Sequence, residues 1–252
     1  MPRYDAEYVP RSALTVFAHP DDAEFTVGGT LVRWARAGCG ITLLAITSGN
    51  AGTHDPRHTR ESLARLREEE QRAAARVLGA EGLVFLGRDD CELFPTPELR
   101  RTLVREIRRV RPEVLVCGDP QAWFYGDAYL NHPDHRAAAA AALEAVFPCA
   151  ETALVFPEEG PPHAVSAVYV ATPLDPTDWI DITGTIDGKL EALRCHGSQL
   201  GGRDLSPRIR EWGEAEALRA RQAQGPGARP EMRYAEAFRI MRIRLRGKVP
   251  EE

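Results

Sequence analysis

The chain has 252 residues, long enough for one sizeable domain with a substantial buried core. Hydrophobic residues make up 43% of it and charged residues 27%, a composition that excludes extensive disorder. The charge balance, 32 Lys and Arg against 37 Asp and Glu, lacks the basic excess of a nucleic-acid-binding protein.

Two further features bear on where the protein works. No apolar run is long enough for a membrane span, and the N-terminal residues lack the apolar segment of a signal peptide. The five cysteines are scattered and form no Cys-x-x-Cys pair. We therefore expect reduced thiols, no membrane partner and a cytoplasmic location.

Four short apolar runs in the first half of the chain predict strands covered on both faces, because they are continuous rather than alternating. These runs span 14–18, 41–47, 82–87 and 114–117. Segments of helical composition lie between them at 27–38, 60–79 and 97–110, and an Ala-rich helix follows His132. The alternation predicts an α/β fold: a Rossmann-like, mainly parallel sheet with helices on both faces, in a single domain over residues 1–252.

The second half has a weaker pattern. Strands are predicted at 153–156, 165–171 and 237–245, and helices at about 183–197 and 206–223. The alternation within 237–245 predicts an edge or one-sided strand, and the Gly- and Pro-rich stretch 225–230 predicts a turn. The segment 200–232 is compatible with a lid or with an oligomer contact.

The first motif with chemical content, His19-Pro20-Asp21-Asp22, directly follows the first predicted strand. Ligands of open parallel sheets bind at the carboxyl ends of the strands, so this is the place to look for a site. His19 and Asp22 are three residues apart across a turn and can face one cation, which would also relieve the repulsion between adjacent carboxylates. Alternatively, one aspartate caps the following helix and His19 is merely packed.

The second motif, His132-Pro133-Asp134-His135, opens the Ala-rich helix. Proline is well tolerated in a first helical turn, and a helix start disfavours positive charge, so both imidazoles should be neutral, as metal binding requires. Asp134 would then orient one of the imidazoles. The alternative is a surface helix start with ordinary histidines.

The two motifs together supply the parts of a catalytic zinc site. Two imidazoles and one carboxylate leave a fourth position open for water, and we predict His19, Asp22 and His135 as ligands of Zn²⁺. Other divalent ions also suit these donors. Asp21 is then predicted as the general base, and His132 as an acid or oxyanion partner.

These motifs resemble the LmbE-like, or PIG-L, family of zinc-dependent N-acetylglucosaminyl deacetylases. The similarity covers Ala18–Glu24, Gly28–Thr30, Arg67–Glu70, Leu78–Gly79, Phe85–Gly87, His132–Arg136, Lys189, His196, Ser198, Gln199 and Tyr234–Phe238. The resemblance implies a Rossmann-like hydrolase that removes the N-acetyl group from an N-acetylglucosamine-type sugar. It assigns His19, Asp22 and His135 as the zinc ligands, Asp21 as the base and His132 as the acid or oxyanion partner. Asp134 stays a predicted catalytic residue because it would orient an imidazole.

The resemblance also implies substrate-binding residues. Arg67 matches a position that contacts substrate, although a solvated helix arginine is the alternative, and His196 is either a substrate contact or a packed histidine. The aromatic loop 122–129 either stacks on sugar or packs on the protein. The expected partner is a small amino-sugar substrate, and the sequence does not identify its aglycone. The sequence is also compatible with a homo-oligomer. The rival function is a non-catalytic, Rossmann-like metal or nucleotide-binding protein.

Overall fold

A seven-stranded sheet forms the centre of the molecule, whose computed structural model describes residues 5–224 and 230–243. The strand order is β3-β2-β1-β4-β7-β9-β8, and a separate hairpin pairs β5 with β6. The strands are β1 (Ser12–Phe17), β2 (Gly40–Thr47), β3 (Gly82–Arg88), β4 (Val114–Cys117), β5 (Phe124–Tyr125), β6 (Tyr129–Leu130), β7 (Ala167–Ala171), β8 (Asp178–Asp181) and β9 (Ala235–Arg242).

The sheet is mainly parallel, as the sequence predicts. β1 pairs in parallel with both β2 and β4, β3 extends the sheet beyond β2, and β7 extends it beyond β4. Only β9 runs antiparallel to its neighbours, β7 and β8. The chain passes from β1 to β2 on one side and later to β4 on the other, so a topological switch point lies at the carboxyl end of β1.

Helices cover both faces of the sheet, also as predicted. They are α1 (Asp22–Arg36), α2 (Arg60–Leu78), α3 (Pro97–Val110), α4 (Pro133–Glu144), α5 (Ile186–Arg194), α6 (Gly197–Leu200) and α7 (Ser206–Gln224). One apolar core packs α1, α2 and α5 on the sheet, and a second core packs α3 and α4 on its other face. Within the described ranges, no helix has the length and apolar character needed to cross a membrane.

Local sequence signals explain several helix ends. Thr59 and Ser62 form a reciprocal capping box at the start of α2, and Gly79 ends this helix with a left-handed φ of 77°. Thr96 accepts a hydrogen bond from the backbone of Leu99 at the start of α3, directly before a proline.

Three predictions for the second half need correction. Residues 153–156 form no strand: they lie in a turn before a 3₁₀ helix at Pro157–Glu159, because Arg108 donates hydrogen bonds to carbonyls of this segment. The strand predicted at 237–245 is internal, with neighbours on both sides, rather than an edge. The helix predicted at 183–197 is two helices, α5 and α6.

Three short strands were not predicted at all: β8 and the two strands of the hairpin, β5 and β6. Of the predicted turn at 225–230, all but Pro230 lies outside the described residues, as do positions 244 and 245 of the last predicted strand.

Candidate metal centre

The predicted site residues meet at one edge of the sheet, around the carboxyl end of β1. His19 follows β1 by two residues, and Asp90 follows β3 by two. The start of α4, which packs against β1, carries His132 and His135 to the same place. This is the switch point at which open α/β sheets bind their ligands.

His19, Asp22 and His135 come together as a possible metal-binding cluster. The distance between His19 Nδ1 and His135 Nε2 is 3.2 Å, and His135 Nε2 is 3.1 Å from Asp22 Oδ1. His19 Nδ1 is 3.5 Å from Asp22 Oδ2. Tetrahedral zinc with ordinary bond lengths holds such ligand atoms about 3.3 to 3.5 Å apart. The three side chains therefore fit one divalent ion and leave a fourth position open.

The far side of each imidazole is held by a polar partner. Asp90 Oδ1 lies 3.0 Å from His19 Nε2, and Asn131 Oδ1 lies 2.9 Å from His135 Nδ1. These contacts leave His19 Nδ1 and His135 Nε2 to face the cluster, which is how metal-binding histidines are usually oriented. Sequence reasoning missed both partners, although Asp90 stands just past a predicted strand and the rule used for the other strands would have found it.

The carboxylates in and around the cluster stabilise positive charge on its imidazoles. Burial works against protonation of His19, but the carboxylates of Asp22, Asp134 and Asp90 raise its pKa well above the usual value. Burial likewise opposes ionisation of Asp22, yet His135 and His19 hold its pKa well below the usual range. A divalent ion would take the place of the imidazole protons, so binding it should release protons.

Asp21 lies beside the cluster without joining it. It occupies the N-cap position of α1, but its side chain makes no capping hydrogen bond, so the helix-cap alternative is wrong for Asp21. Burial raises the pKa of Asp21 to about 6, although Arg67 opposes the shift. A carboxylate in this range is ionised at neutral pH and still accepts a proton readily, which is the requirement for a general base.

The neutral ring of His132 has a single N–H, and its Nε2 atom lies 3.6 Å from Cys91 Sγ. Its Nδ1 atom accepts the backbone N–H of Asp134 at 3.2 Å. A backbone N–H can only donate, so the neutral ring of His132 must carry its proton on Nε2. Burial lowers the pKa of His132, and the rings of His19 and His135 lower it further, which favours this neutral form. An Nε2–H group of this kind can stabilise a developing oxyanion.

Asp134 is completely buried and connects α4 to the segment after β3. Its carboxylate accepts the backbone N–H of Cys91 at 2.8 Å and of Leu93 at 3.3 Å. Its Oδ2 atom is also 3.5 Å from His19 Nε2. Asp134 thus faces the imidazole of His19, while its backbone fixes the ring of His132.

A scan against protein-family profiles places this arrangement in a known family. The profile described as PIG-L, GlcNAc-PI de-N-acetylase, matches residues 14–146, which include both motifs and more than half of the chain. The chain belongs to the PIG-L family.

The proteins similar to this chain include two deacetylases and a hydratase. Diacetylchitobiose deacetylase of Thermococcus kodakarensis is 32% identical over 75% of this chain and 70% of the relative. The solved structure of N,N'-diacetylchitobiose deacetylase from Pyrococcus horikoshii has a TM-score of 0.82 and 26% identity, covering 95% of this chain and 88% of that one. GalB, the 4-carboxy-2-hydroxymuconate hydratase of Pseudomonas putida, has a TM-score of 0.78 and 25% identity, covering 95% and 100%.

Arg67 lies inside the PIG-L match but not at the protein surface. It is only 3% exposed, so the solvated-arginine alternative is wrong. Its guanidinium donates to the carbonyls of Gly49 at 3.0 Å and Pro20 at 2.6 Å, and to Asp21 Oδ2 at 3.2 Å. A Cβ atom at Gly49, where φ is 60°, would lie 2.2 Å from Arg67 Nη1, so this position requires glycine. Arg67 therefore lies behind Asp21, where it fixes the loop.

His196 lies outside the PIG-L match and is wholly buried. Its Nε2 atom is 3.7 Å from Glu24 Oε2, and neither ring nitrogen has a hydrogen-bond partner. Burial opposes protonation of His196, but Glu24 raises its pKa. The structure gives His196 no exposed surface for direct contact with a substrate, and a packed histidine is what it shows.

The aromatic loop before the second motif of the PIG-L match forms the hairpin of β5 and β6. Trp123, Phe124 and Tyr129 are 54%, 65% and 52% exposed. The ring of Trp123 stacks on the guanidinium of Arg136, 3.5 Å from the ring centroid. Packing on the protein therefore leaves about half of each of these rings exposed.

Proposed function

We propose that this protein is a zinc-dependent hydrolase that removes the N-acetyl group from an N-acetylglucosamine-type sugar, giving acetate and a free amine. The observation that carries this proposal is the cluster of His19, Asp22 and His135, whose ligand atoms are 3.1 to 3.5 Å apart beside Asp21 and His132. Membership of the PIG-L family and the deacetylase relatives support the same reaction.

In this proposal each residue has a distinct part. Zn²⁺ held by His19, Asp22 and His135 would polarise the acetamide carbonyl and lower the pKa of a bound water. Asp21 takes the proton of the attacking water and passes it to the departing amine. His132 donates its Nε2–H to the oxygen that becomes negative in the tetrahedral adduct.

Three further residues act through the metal ligands, the base and the oxyanion partner. Asp134 holds the imidazole of His19 and the 91–93 segment, as its contacts suggest. Arg67 stays a proposed substrate-binding residue, because the Asp21 carboxylate that it contacts would face the substrate. For His196 we propose only an indirect effect on substrate binding, since it is wholly buried.

We also propose that residues 1–252 form one such domain, because seven strands drawn from both halves of the chain share one sheet. The cytoplasm remains the proposed location, supported by five free cysteines. The proposed partner is a small amino-sugar, without nucleic acid or membrane, and a homo-oligomer is compatible with the exposed aromatic hairpin.

The decisive test is Asp21→Asn in zinc-loaded protein. The amide cannot accept the proton of the water, so turnover should fall by about 100- to 10,000-fold while zinc stays bound. Acetate and free amine measure turnover, and elemental analysis measures zinc. Asp127→Asn, an exposed carboxylate of the hairpin loop, is the matched control and should retain full activity. Full activity of Asp21→Asn would contradict the assignment of the base.

Substrate screening separates this function from its rivals. Purified zinc-loaded protein is incubated with N-acetylglucosamine, N,N'-diacetylchitobiose and N-acetylglucosaminides of malate and inositol. Release of amine from any of them supports a deacetylase, and the rates rank the aglycones. Bound zinc without amine release would favour the metal-binding protein. No bound metal, with no activity restored by added zinc, would contradict both zinc-dependent functions.

A further inference from the structure

The backbone of Asp21 is held in a conformation that aspartate rarely adopts. Its φ is 99° and its ψ is −25°, in the left-handed region. Such a conformation is strained for a non-glycine residue and persists only when the surroundings impose it. Asp21 is also buried, with 8% of its surface exposed, so protein groups rather than water surround it.

Two side chains of α2, one helical turn apart, supply the contacts. Gln71 Oε1 accepts the backbone N–H of Asp21 at 2.9 Å. Arg67 Nη2 donates to the carbonyl of Pro20 at 2.6 Å and to the carboxylate of Asp21 at 3.2 Å. Arg67 thus fixes the carboxylate, and Gln71 fixes the peptide that carries it.

Gln71 can serve Asp21 in only one of its two amide orientations. Its oxygen must face the Asp21 N–H, because the reversed amide would oppose two donors. Glu24 selects the correct orientation: its Oε1 atom accepts Gln71 Nε2–H at 2.6 Å, and a carboxylate can only accept. Glu24 has 0% exposure, so water does not compete for this bond.

The burial of Glu24 itself needs an explanation. A buried carboxylate is costly unless a charge or a donor compensates it. His196, also wholly buried, places Nε2 3.7 Å from the second carboxylate oxygen of Glu24. Neither group reaches the open site, so both act at a distance from the substrate.

We propose that Glu24 is a positioning residue that holds Asp21 in its reactive place by orienting the Gln71 amide, with His196 compensating the buried carboxylate. The proposal rests on the proposed role of Asp21 as base. It gives Glu24 and His196 a function that neither has through direct contact with substrate.

Exchanging the side chains at positions 24 and 71 tests whether Glu24 orients the Gln71 amide. In Glu24→Gln the 24–71 contact survives but no longer selects one amide orientation. In Gln71→Glu two carboxylates meet where the structure has a hydrogen bond of 2.6 Å. In the double variant the amide at 24 donates to the carboxylate at 71, whose other oxygen again accepts the Asp21 N–H. Glu70→Gln is the control, because Glu70 bonds Ser198 and not Asp21.

Each single variant should lower kcat by about 10- to 100-fold, with KM within about threefold and the metal content unchanged. The double variant should recover at least about tenfold over Gln71→Glu. The control should match wild type. A double variant no better than Gln71→Glu, unchanged kcat in Glu24→Gln, or losses that follow loss of metal would each overturn the proposal.

Hydrogen exchange of the Asp21 amide provides a readout that needs no activity. Exchange should be faster in both single variants and slow again in the double variant. If wild type releases no amine from any N-acetyl sugar, the proposed function fails, and exchange still decides whether Glu24 holds Asp21. Unchanged exchange in Glu24→Gln and Gln71→Glu would overturn the positioning role. Glu24→Gln replaces one side chain by another of equal size, so it keeps the test valid if Gln71→Glu does not fold.

Discussion

Asn131 connects a proposed metal ligand to the hairpin that precedes it. Its Oδ1 atom is 2.9 Å from His135 Nδ1, and its Nδ2–H donates to the carbonyl of Ala122 at 2.7 Å. The residue is 4% exposed, so both contacts are shielded from water. The ring of His135 is therefore oriented by a side chain that is itself fixed at the base of the hairpin.

Asn131→Ala should weaken zinc binding by about 10- to 100-fold, because His135 loses the partner that orients its ring. A competition titration against a chromophoric chelator measures the affinity. Gln121→Ala, an exposed amide near the start of the same loop, is the control and should bind zinc like wild type. Equal affinity in Asn131→Ala would show that the hairpin does not support the metal centre.

The residue scale also shows how far the sequence predicts a site. His19, Asp22 and His135 have metal-binding side chains and stand in two short sequence motifs. The structure brings their ligand atoms within 3.1 to 3.5 Å of one another. Gln71 and Asn131 carry no such signal, because an amide has the same appearance in a sequence whether it orients a catalytic group or faces solvent. Their parts depend on contacts between distant segments, which spacing along the chain does not reveal.

At the scale of elements, one arginine organises the segment from Cys149 to Gly160. Arg108 on α3 is 3% exposed, and its guanidinium donates to six backbone carbonyls. These belong to Cys149, Ala150, Thr152, Val155, Phe156 and Gly160. The apolar residues at 153–156 resemble a strand in the sequence, but carbonyls directed at one guanidinium cannot pair with a neighbouring strand.

Arg108→Met keeps most of the buried volume and removes all of these donors. The free energy of unfolding should fall by about 3 kcal/mol, since several carbonyls lose their partner together. Urea denaturation measures this change, and limited proteolysis near Leu154, which is 91% exposed, should become faster. Arg105→Met, an exposed arginine of the same helix, should leave both results unchanged. Equal stability of the two variants would contradict this account of the segment.

Four of the strands that were predicted correctly share a physical property. β1, β2, β4 and β7 are almost entirely buried, so their apolar runs report the environment of the strand directly. β8 has four residues with polar ends, and β5 and β6 have two residues each, which is too short for any periodicity. Their positions depend on pairing with a partner strand, and the sequence does not state which partner that is.

For the whole molecule, a buried ion pair joins the last strand to the helices behind the site. Lys189 Nζ on α5 is 2.6 Å from Glu236 Oε1 on β9. Glu236 also accepts the backbone N–H groups of Gly29 at 3.0 Å and Thr30 at 2.8 Å in α1. Three elements far apart in the chain therefore meet at one carboxylate.

Glu236→Ala would leave the ammonium of Lys189 buried without its partner. We expect the free energy of unfolding to fall by about 3 to 5 kcal/mol, as for other broken buried ion pairs. Thermal or urea denaturation gives the value. Glu214→Ala breaks the exposed contact with Arg233, at 3.4 Å, and should change stability by less than about 1 kcal/mol. A similarly small effect at Glu236 would show that the pair does not hold the sheet to its helices.

The fold class was predictable because alternation of buried strands and helices allows few arrangements. The place of β9 was not, because its alternating pattern is typical of a strand with one covered face. In the structure this strand lies between β7 and β8, and its first residues are buried. The PIG-L match ends at residue 146, so a large part of the sheet lies beyond the segment that defines the family.

The left-handed backbone at Asp21 has an evolutionary consequence. Glycine adopts a φ of 99° without strain, so selection for stability alone would favour glycine at this position. Glycine has no carboxylate, and the proposed reaction would lose its base. Under the proposed role of Asp21 as base, position 21 is thus one where stability and activity favour different amino acids.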